Sequence, residues 1–288
     1  MKPNVKRIAA LHDLSGFGRA SLTVIIPTLS AMGYQVCPAP TAVLSTHSGG
    51  FSDYSFTDLT DSLPSFFAHW KKLKLDFDCI YSGFLGSPKQ ALIVSDMIDT
   101  FRTSKTLVVV DPVMGDYGKL YNSITPQMIP SMQKLLKKAD IIVPNYTESA
   151  LLLDEDPDIM ITMPQLKERL KFLSNLGPAT VVITGVENEK NQIFTAAYQR
   201  DCDVCWKVSY KHLPANYPGT GDVFASVMIG CLLEGESLPV SIDRGAHFIS
   251  QCINASRGYD YPVRDGILLE RELYLLREPW PISGYEEF

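Results

Sequence analysis

Two short runs constrain this chain more than any other feature. Leu107-Val108-Val109-Val110 and Val181-Val182-Ile183 are wholly apolar and rich in β-branched residues. A strand with one wet face alternates apolar and polar residues. A run without alternation is covered on both faces, as strands are in a parallel sheet flanked by helices. Strand-like and helical stretches alternate along most of the chain. Lys6–Leu11 reads as a strand and Ala20–Met32 as a helix ending at Gly33, where Pro27 predicts a kink or a late start. Tyr34–Leu44 is extended and carries Pro38 and Pro40, which suits a sheet edge or a flap. Ser62–Leu73, Pro88–Phe101, Thr125–Lys138, Glu148–Leu153 and Pro164–Leu176 read as helices, with Thr125-Pro126 as N-cap and N1 of the third. Phe77–Tyr81, Thr106–Val110, Ile141–Val143, Thr180–Thr184, Gln192–Tyr198 and Val204–Tyr210 read as strands, and Asp222–Glu234 and Pro239–Ser256 as closing helices. The pattern implies an α/β fold: a doubly wound, mostly parallel sheet with helices on both faces. Ligands of such sheets gather at the carboxyl ends of the strands.

Composition narrows the function classes. The formal net charge is −6, which argues against general nucleic-acid binding, since that needs phosphate-neutralising charge. The longest nearly apolar stretch, Val223 to Leu233, falls short of the ~20 residues of a membrane helix. Ile8-Ala9-Ala10-Leu11 is too brief for a secretory signal core. The expectation is a cytoplasmic protein with no nucleic-acid or membrane partner. Cys202 and Cys205 form an isolated C-x-x-C. It has neither the second ligand pair of a structural zinc site nor the early βαβ position of a redox motif.

The turns after the strands carry the chemistry. Pro218-Gly219-Thr220-Gly221-Asp222 precedes an apolar helix. Glycines let successive N–H groups turn into one concavity, and the helix N-terminus adds its positive dipole end, so Gly219, Thr220 and Gly221 read as an anion hole. Asp222 is placed to accept a proton beside that anion; the plainer reading is a first-turn acid. Asp111 follows the apolar strand in Asp111-Pro112-Val113-Met114-Gly115, and suits a metal ion or its water, or simply a βα turn. Asn145 and Glu148 could hold Mg²⁺-bound water or phosphate oxygens, or form an ordinary helix cap. Ser45-Thr46-His47-Ser48 and Ser82-Gly83-Phe84 could face a substrate. Asp13-Leu14-Ser15-Gly16-Phe17-Gly18 imitates a dinucleotide fingerprint. However, Ser21 stands where the third glycine belongs, and no acid follows about 20 residues on, which argues against a dehydrogenase. Gly115 to Lys119 is too short for a P-loop.

Taken in order, these motifs resemble the ribokinase-like superfamily, and within it the pyridoxal kinase and hydroxymethylpyrimidine kinase branch. Gly-Thr-Gly-Asp at 219–222 is similar to the superfamily's anion hole and base. Asp-Pro-Val-Met-Gly at 111–115, Pro-Asn-x-x-Glu at 144–148, Ser-x-His-Ser at 45–48, Ser-Gly-Phe-Leu-Gly-Ser at 82–87 and Val-Ile-Thr at 182–184 resemble vitamin-kinase forms. Asp13-x-Ser15-Gly16 is closer to the hydroxymethylpyrimidine kinases, and Pro218 stands where the dual-cysteine subgroup has Cys.

The resemblance implies an ATP-dependent kinase acting on the 5′-hydroxymethyl group of pyridoxal, pyridoxamine or pyridoxine. The alternatives are a hydroxymethylpyrimidine kinase and a catalytically idle vitamer-binding protein. It implies Asp222 as base, with Asn145, Glu148, Thr184, Gly219 and Gly221 on ATP. Asp111 and Glu148 would serve Mg²⁺, with a monovalent cation left open. Asp13, His47, Ser48 and Phe84 would hold the ring. The Gly115–Tyr121 loop would close over the site. A homodimer is expected from resemblance alone. Length would allow two domains, at roughly 150 residues each. The spread of motifs from Asp13 to Asp222 instead implies one kinase domain over residues 1–288, with at most a small flap near residues 34–51. No role is assigned to residues 278–288.

Overall fold

The structure, a computed structural model, describes residues 5–187, 192–210, 217–280 and 284–288. The chain begins with β1 (Arg7–Leu11), β2 (Leu14–Phe17), α1 (Leu22–Ala31), β3 (Gln35–Pro38), β4 (Ala42–Thr46), β5 (Phe56–Asp58) and α2 (Leu63–Lys72). There follow β6 (Cys79–Ser82), α3 (Pro88–Phe101), β7 (Leu107–Val110), β8 (Gly115–Asp116), β9 (Lys119–Leu120), α4 (Met128–Leu136), β10 (Ile141–Ile142) and α5 (Tyr146–Leu151). The remainder is α6 (Met163–Asn175), β11 (Thr180–Glu187), β12 (Ile193–Gln199), β13 (Val204–Ser209), α7 (Thr220–Glu234), α8 (Leu238–Ser256), short 3-10 turns and β14 (Glu286–Glu287).

A nine-stranded sheet in the order β14-β13-β12-β11-β10-β7-β6-β1-β3 forms the frame. Strands β3 to β11 of that order run parallel, and β12, β13 and β14 add antiparallel pairs. The apolar runs explain the layering. Val108 and Val110 pack with α2, α3, α4 and α6 on one face. Val109 and Val182 pack with α1, α7 and α8 on the other. The strand order reverses at β1, whose neighbours β3 and β6 lead the chain in opposite directions, and such switch points open crevices at the strand ends.

Several sequence expectations shift. Tyr34–Leu44 divides: Gln35–Pro38 is the outer edge of the main sheet, and Ala42–Thr46 joins a separate three-stranded sheet, β2-β4-β5. The flap is therefore built from residues 14–17, 42–46 and 56–58 rather than 34–51. Thr125 and Pro126 do not cap α4. Their carbonyls accept from Met128 and Ile129 in a preceding turn, and the helix starts at Met128 with Pro130 in its first turn, where a missing N–H costs nothing. The Gly115–Tyr121 loop is a hairpin, β8-β9, turning through Tyr117 and Gly118, both with positive φ. Phe288 and β14 close the far edge against β13. Cys202 is exposed in the β12–β13 turn, Cys205 is buried, and both are free thiols. Among the described residues no helix is long and apolar enough to cross a membrane.

Helix α5 is too short to hold itself in place. Arg169 of α6, 2% exposed, pins it: the guanidinium lies 4.8 Å from the Tyr146 ring centre, donates to Ser149 Oγ at 3.3 Å and pairs with Glu155 at 2.6 Å. Arg169→Ala leaves a buried gap and removes the donor to Ser149 Oγ and the ion-pair partner of Glu155, and is expected to cost about 2–4 kcal/mol. Arg169→Met, which refills the stem, is expected to cost less. Urea denaturation checks this, and an unchanged midpoint for Arg169→Ala would remove the pin.

Candidate active site

The carboxyl ends of β1, β6, β7, β10 and β11 face the N-terminus of α7 across a cavity of about 710 Å³. Gly219 caps α7 with φ 76°, and a Cβ there would lie 2.2 Å from the Arg19 carbonyl oxygen. Only glycine fits so close a backbone. The first turn of this 15-residue helix leaves its N–H groups without intrahelical acceptors. They border the cavity beside Thr220, Gly221 and Asp222.

The Asp222 side chain is 14% exposed. Burial pushes its pKa up to about 7; the negative charge of Asp13 adds to the rise, and the Ser21 N–H opposes it. That N–H donates to Asp222 Oδ2 at 2.8 Å. Ser21 pays for this position with φ 53° and ψ −133°, an arrangement that costs a non-glycine residue roughly 1–3 kcal/mol. Its hydroxyl donates to the buried Asp13 carboxylate, which also accepts from Ser15 at 3.1 Å. Asp13 is thus one residue behind the cavity wall.

Asp111 and Glu148 are buried and face the same space. Burial raises both carboxyls, Glu148 to about 8 and Asp111 well above its ordinary value, and Asp111 is raised further by Glu148 and Asp222. Glu148 and Asn145 form a capping box at α5. Glu148 also accepts from the Met114 N–H at 2.9 Å, and Asn145 donates to the Gly115 carbonyl at 2.8 Å. The capping interpretation of these residues therefore applies, and it fixes the β8-β9 hairpin as well. Asp111 has no described side-chain hydrogen bond or ion pair. A buried carboxylate so placed, on the cavity wall beside Glu148, fits a hard cation with oxygen ligands. Among the described residues no three His, Cys, Asp or Glu side chains form a complete metal cage. One or two protein carboxylates are the usual share of a Mg²⁺ shell, the rest being water and substrate phosphates.

Of the residues singled out in the sequence, Phe84, Asp111, Asn145, Glu148, Thr184, Gly219, Thr220, Gly221 and Asp222 line this cavity. Thr184 reaches it from a bulge in β11, between Ile183 and Val186. His47 and Ser48 do not line it. His47 Nδ1 accepts from the Gly49 N–H at 3.1 Å, so Nε2 carries the proton toward the Arg264 carbonyl at 2.8 Å, and burial lowers the ring's pKa. Ser48 is exposed. Tyr121, at the end of the loop expected to close over the site, lines the cavity too, and so do Ser21 and the α8 residues Ala246, Ile249 and Ile253, to which the sequence reading gave no role. Ser21 had a signal only in its odd place within the glycine-rich turn.

Comparison with known proteins follows the same outline. The model of the family described as phosphomethylpyrimidine kinase matches residues 23–264. A Bacteroides thetaiotaomicron protein assigned to the phosphomethylpyrimidine kinases, crystallised with pyridoxal, is 51% identical with a TM-score of 0.95, covering 99% of this chain and 100% of that one. Pyridoxal kinase from Lactobacillus plantarum is 31% identical with a TM-score of 0.86, covering 95% of this chain and 97% of that one. Pyridoxal kinase of Arabidopsis thaliana is 23% identical over 266 residues, 85% of this chain and 78% of that protein. With the family match spanning residues 23–264, a range that holds both Phe84 and Asp222, the chain belongs to the phosphomethylpyrimidine kinase family and has the ribokinase-like fold.

Proposed function

We propose that this chain transfers the γ-phosphoryl group of ATP to the 5′-hydroxymethyl group of pyridoxal, pyridoxamine or pyridoxine. The observation that carries this reading is Asp222, a desolvated yet reachable carboxylate at the N-terminus of α7, in one cavity with Phe84 and Asp111. The pyridoxal held by the 51%-identical Bacteroides protein supports a pyridine as the ring. Asp222 takes the hydroxyl proton as the oxygen attacks phosphorus in line. The N–H groups of Gly219, Thr220 and Gly221 stabilise the charge on the phosphoryl oxygens; preorganised donors of this kind are each worth about 3 kcal/mol. Asp111 would hold Mg²⁺, with Glu148 behind it, and the ion would neutralise phosphate charge. Thr184 and Asn145 face the phosphates. The apolar wall of Ala246, Ile249 and Ile253 suits the nucleotide base. Phe84 lies against the vitamer ring, while Asp13 acts through Ser21. All these groups except Asp13, which stands behind Ser21, border one cavity at one sheet, which supports a single kinase domain over residues 1–288.

A second reading, hydroxymethylpyrimidine kinase, is favoured by Asp13-x-Ser15-Gly16 and by the description of the matching family. ADP release with Mg-ATP across pyridoxal, pyridoxine, pyridoxamine and hydroxymethylpyrimidine separates the two. The expected outcome is turnover of the pyridines; turnover of the pyrimidine alone moves the assignment to the second reading.

Asp222→Asn is expected to bind ATP normally and to lose at least about 100-fold in kcat. Near-normal turnover excludes Asp222 as the base. Because the base works deprotonated, kcat/KM is expected to rise with pH and level off above about 7. A flat profile from acid to neutral pH would contradict this. Stability runs the other way. The raised carboxyls bind protons in the folded state that the unfolded chain, with carboxyl pKa values near about 4, releases. The ligand-free melting temperature is therefore expected to fall as pH rises from about 4 toward 8. Mg²⁺ is expected to restore it most at the upper end, as scanning calorimetry can check.

A further inference from the structure

His12 follows β1 on the face that packs against α7, where its neighbours Ile8 and Ala10 are ordinary core residues. It is fully buried, and neither ring nitrogen makes a well-formed hydrogen bond, the Tyr81 carbonyl being close enough only to raise the ring's pKa slightly against burial. The Tyr81 ring lies edge-on at 4.3 Å. The backbone of Gly83 closes the other side so tightly that a Cβ there would fall 2.2 Å from the imidazole. A buried polar ring without a well-formed hydrogen bond costs more than the hydrophobe that would fill the same space. Its nearest charged group is the carboxylate of Asp222, with Nδ1 3.9 Å from Oδ1.

We propose that His12 is a positioning residue for Asp222, donating Nδ1–H to Oδ1 when the cavity is loaded and so clamping the carboxylate oxygen that Ser21 leaves free. The inference rests on the reading of Asp222 as base. The geometry needs only a small turn of the Asp222 side chain, from 3.9 Å to the roughly 3 Å of an N–H···O bond. Burial keeps the ring neutral, with its pKa near 3. A neutral imidazole carries a single N–H, for which the Tyr81 carbonyl is the acceptor that competes with Asp222. With Ser21 on Oδ2 at 2.8 Å and His12 on Oδ1, the carboxylate would have one fixed orientation toward the substrate hydroxyl.

The test compares His12→Asn with His12→Leu. The two side chains are close in size and both remove the ring, but Asn keeps an N–H donor at the position of Nδ1. With Mg-ATP and whichever of the four alcohols turns over fastest, His12→Leu is expected to lose roughly 10- to 100-fold in kcat, with each KM within about threefold. His12→Asn is expected to stay within about fivefold of the parent. Melting curves confirm folding. If His12→Leu does not fold, His12→Gln, whose donor sits one bond too far out, takes its place with the same expected loss. Equal losses in Asn and in Leu or Gln, or full activity in Leu or Gln, overturn the proposal. Asp222→Asn is run alongside: if it turns over normally, the base assignment fails, whereas an inactive Asp222→Asn beside a fully active His12→Leu removes only the role of His12.

Discussion

Asp222 accepts a hydrogen bond from a serine whose own backbone is held in an unfavourable region, and this contact organises the site. It joins the turn after β1 to the first turn of α7, segments some two hundred residues apart in the chain. Ser21 faces two acids at once: its N–H meets Asp222 and its hydroxyl meets Asp13. One small residue, through its backbone N–H and its hydroxyl, thereby stabilises two buried carboxylates that would otherwise repel each other. The same strain sets where α1 begins. The helix cannot extend back through a residue at φ 53°, so it starts at Leu22.

Among the described residues that line the cavity there is no lysine or arginine, whereas Asp111, Asp116, Glu148, Asp158, Glu187 and Asp222 all contribute. A polyphosphate would meet net negative side-chain charge there. Under the proposed function, attraction at these described residues would come from backbone N–H groups, the helix dipole and a bound cation. This also makes sense of the raised carboxyl pKa values. Buried acids that face one another take up protons when no cation is present, so under the proposed function proton and Mg²⁺ would compete for the same groups. The negative net charge of the whole chain, −6, is compatible with phosphate chemistry for the same reason.

The sheet and its helices were legible because burial on both faces writes itself as unbroken apolar runs, as at Leu107–Val110. Pro88–Phe101 was readable to the residue because Ser87 and Pro88 announce its start. The flap was misplaced because β2 and β5 are short and their stability is tertiary. Phe17 and Phe56 are exposed and carry no alternation that a linear reading could use. Gly219 to Asp222 could be identified from residue type and spacing alone. That His47 stands off the cavity wall was not legible, since nothing local reveals that Gly49 and Arg264 occupy both its nitrogens. Asn145 and Glu148 illustrate a different limit: a helix cap and a phosphate contact call for the same residues at the same spacing.

The two margins of the nine-stranded sheet share a property that bears on life at high concentration. At one margin β3 ends in Pro38, with Pro40 just beyond, so the outermost strand lacks a donor that an incoming strand would need. At the other margin β14 is only two residues long. A wide sheet normally invites another chain to extend its ladder. Among the described residues neither outermost strand offers a long continuous row of free peptide groups. The fold carries a large β-framework while giving a growing aggregate little to template on.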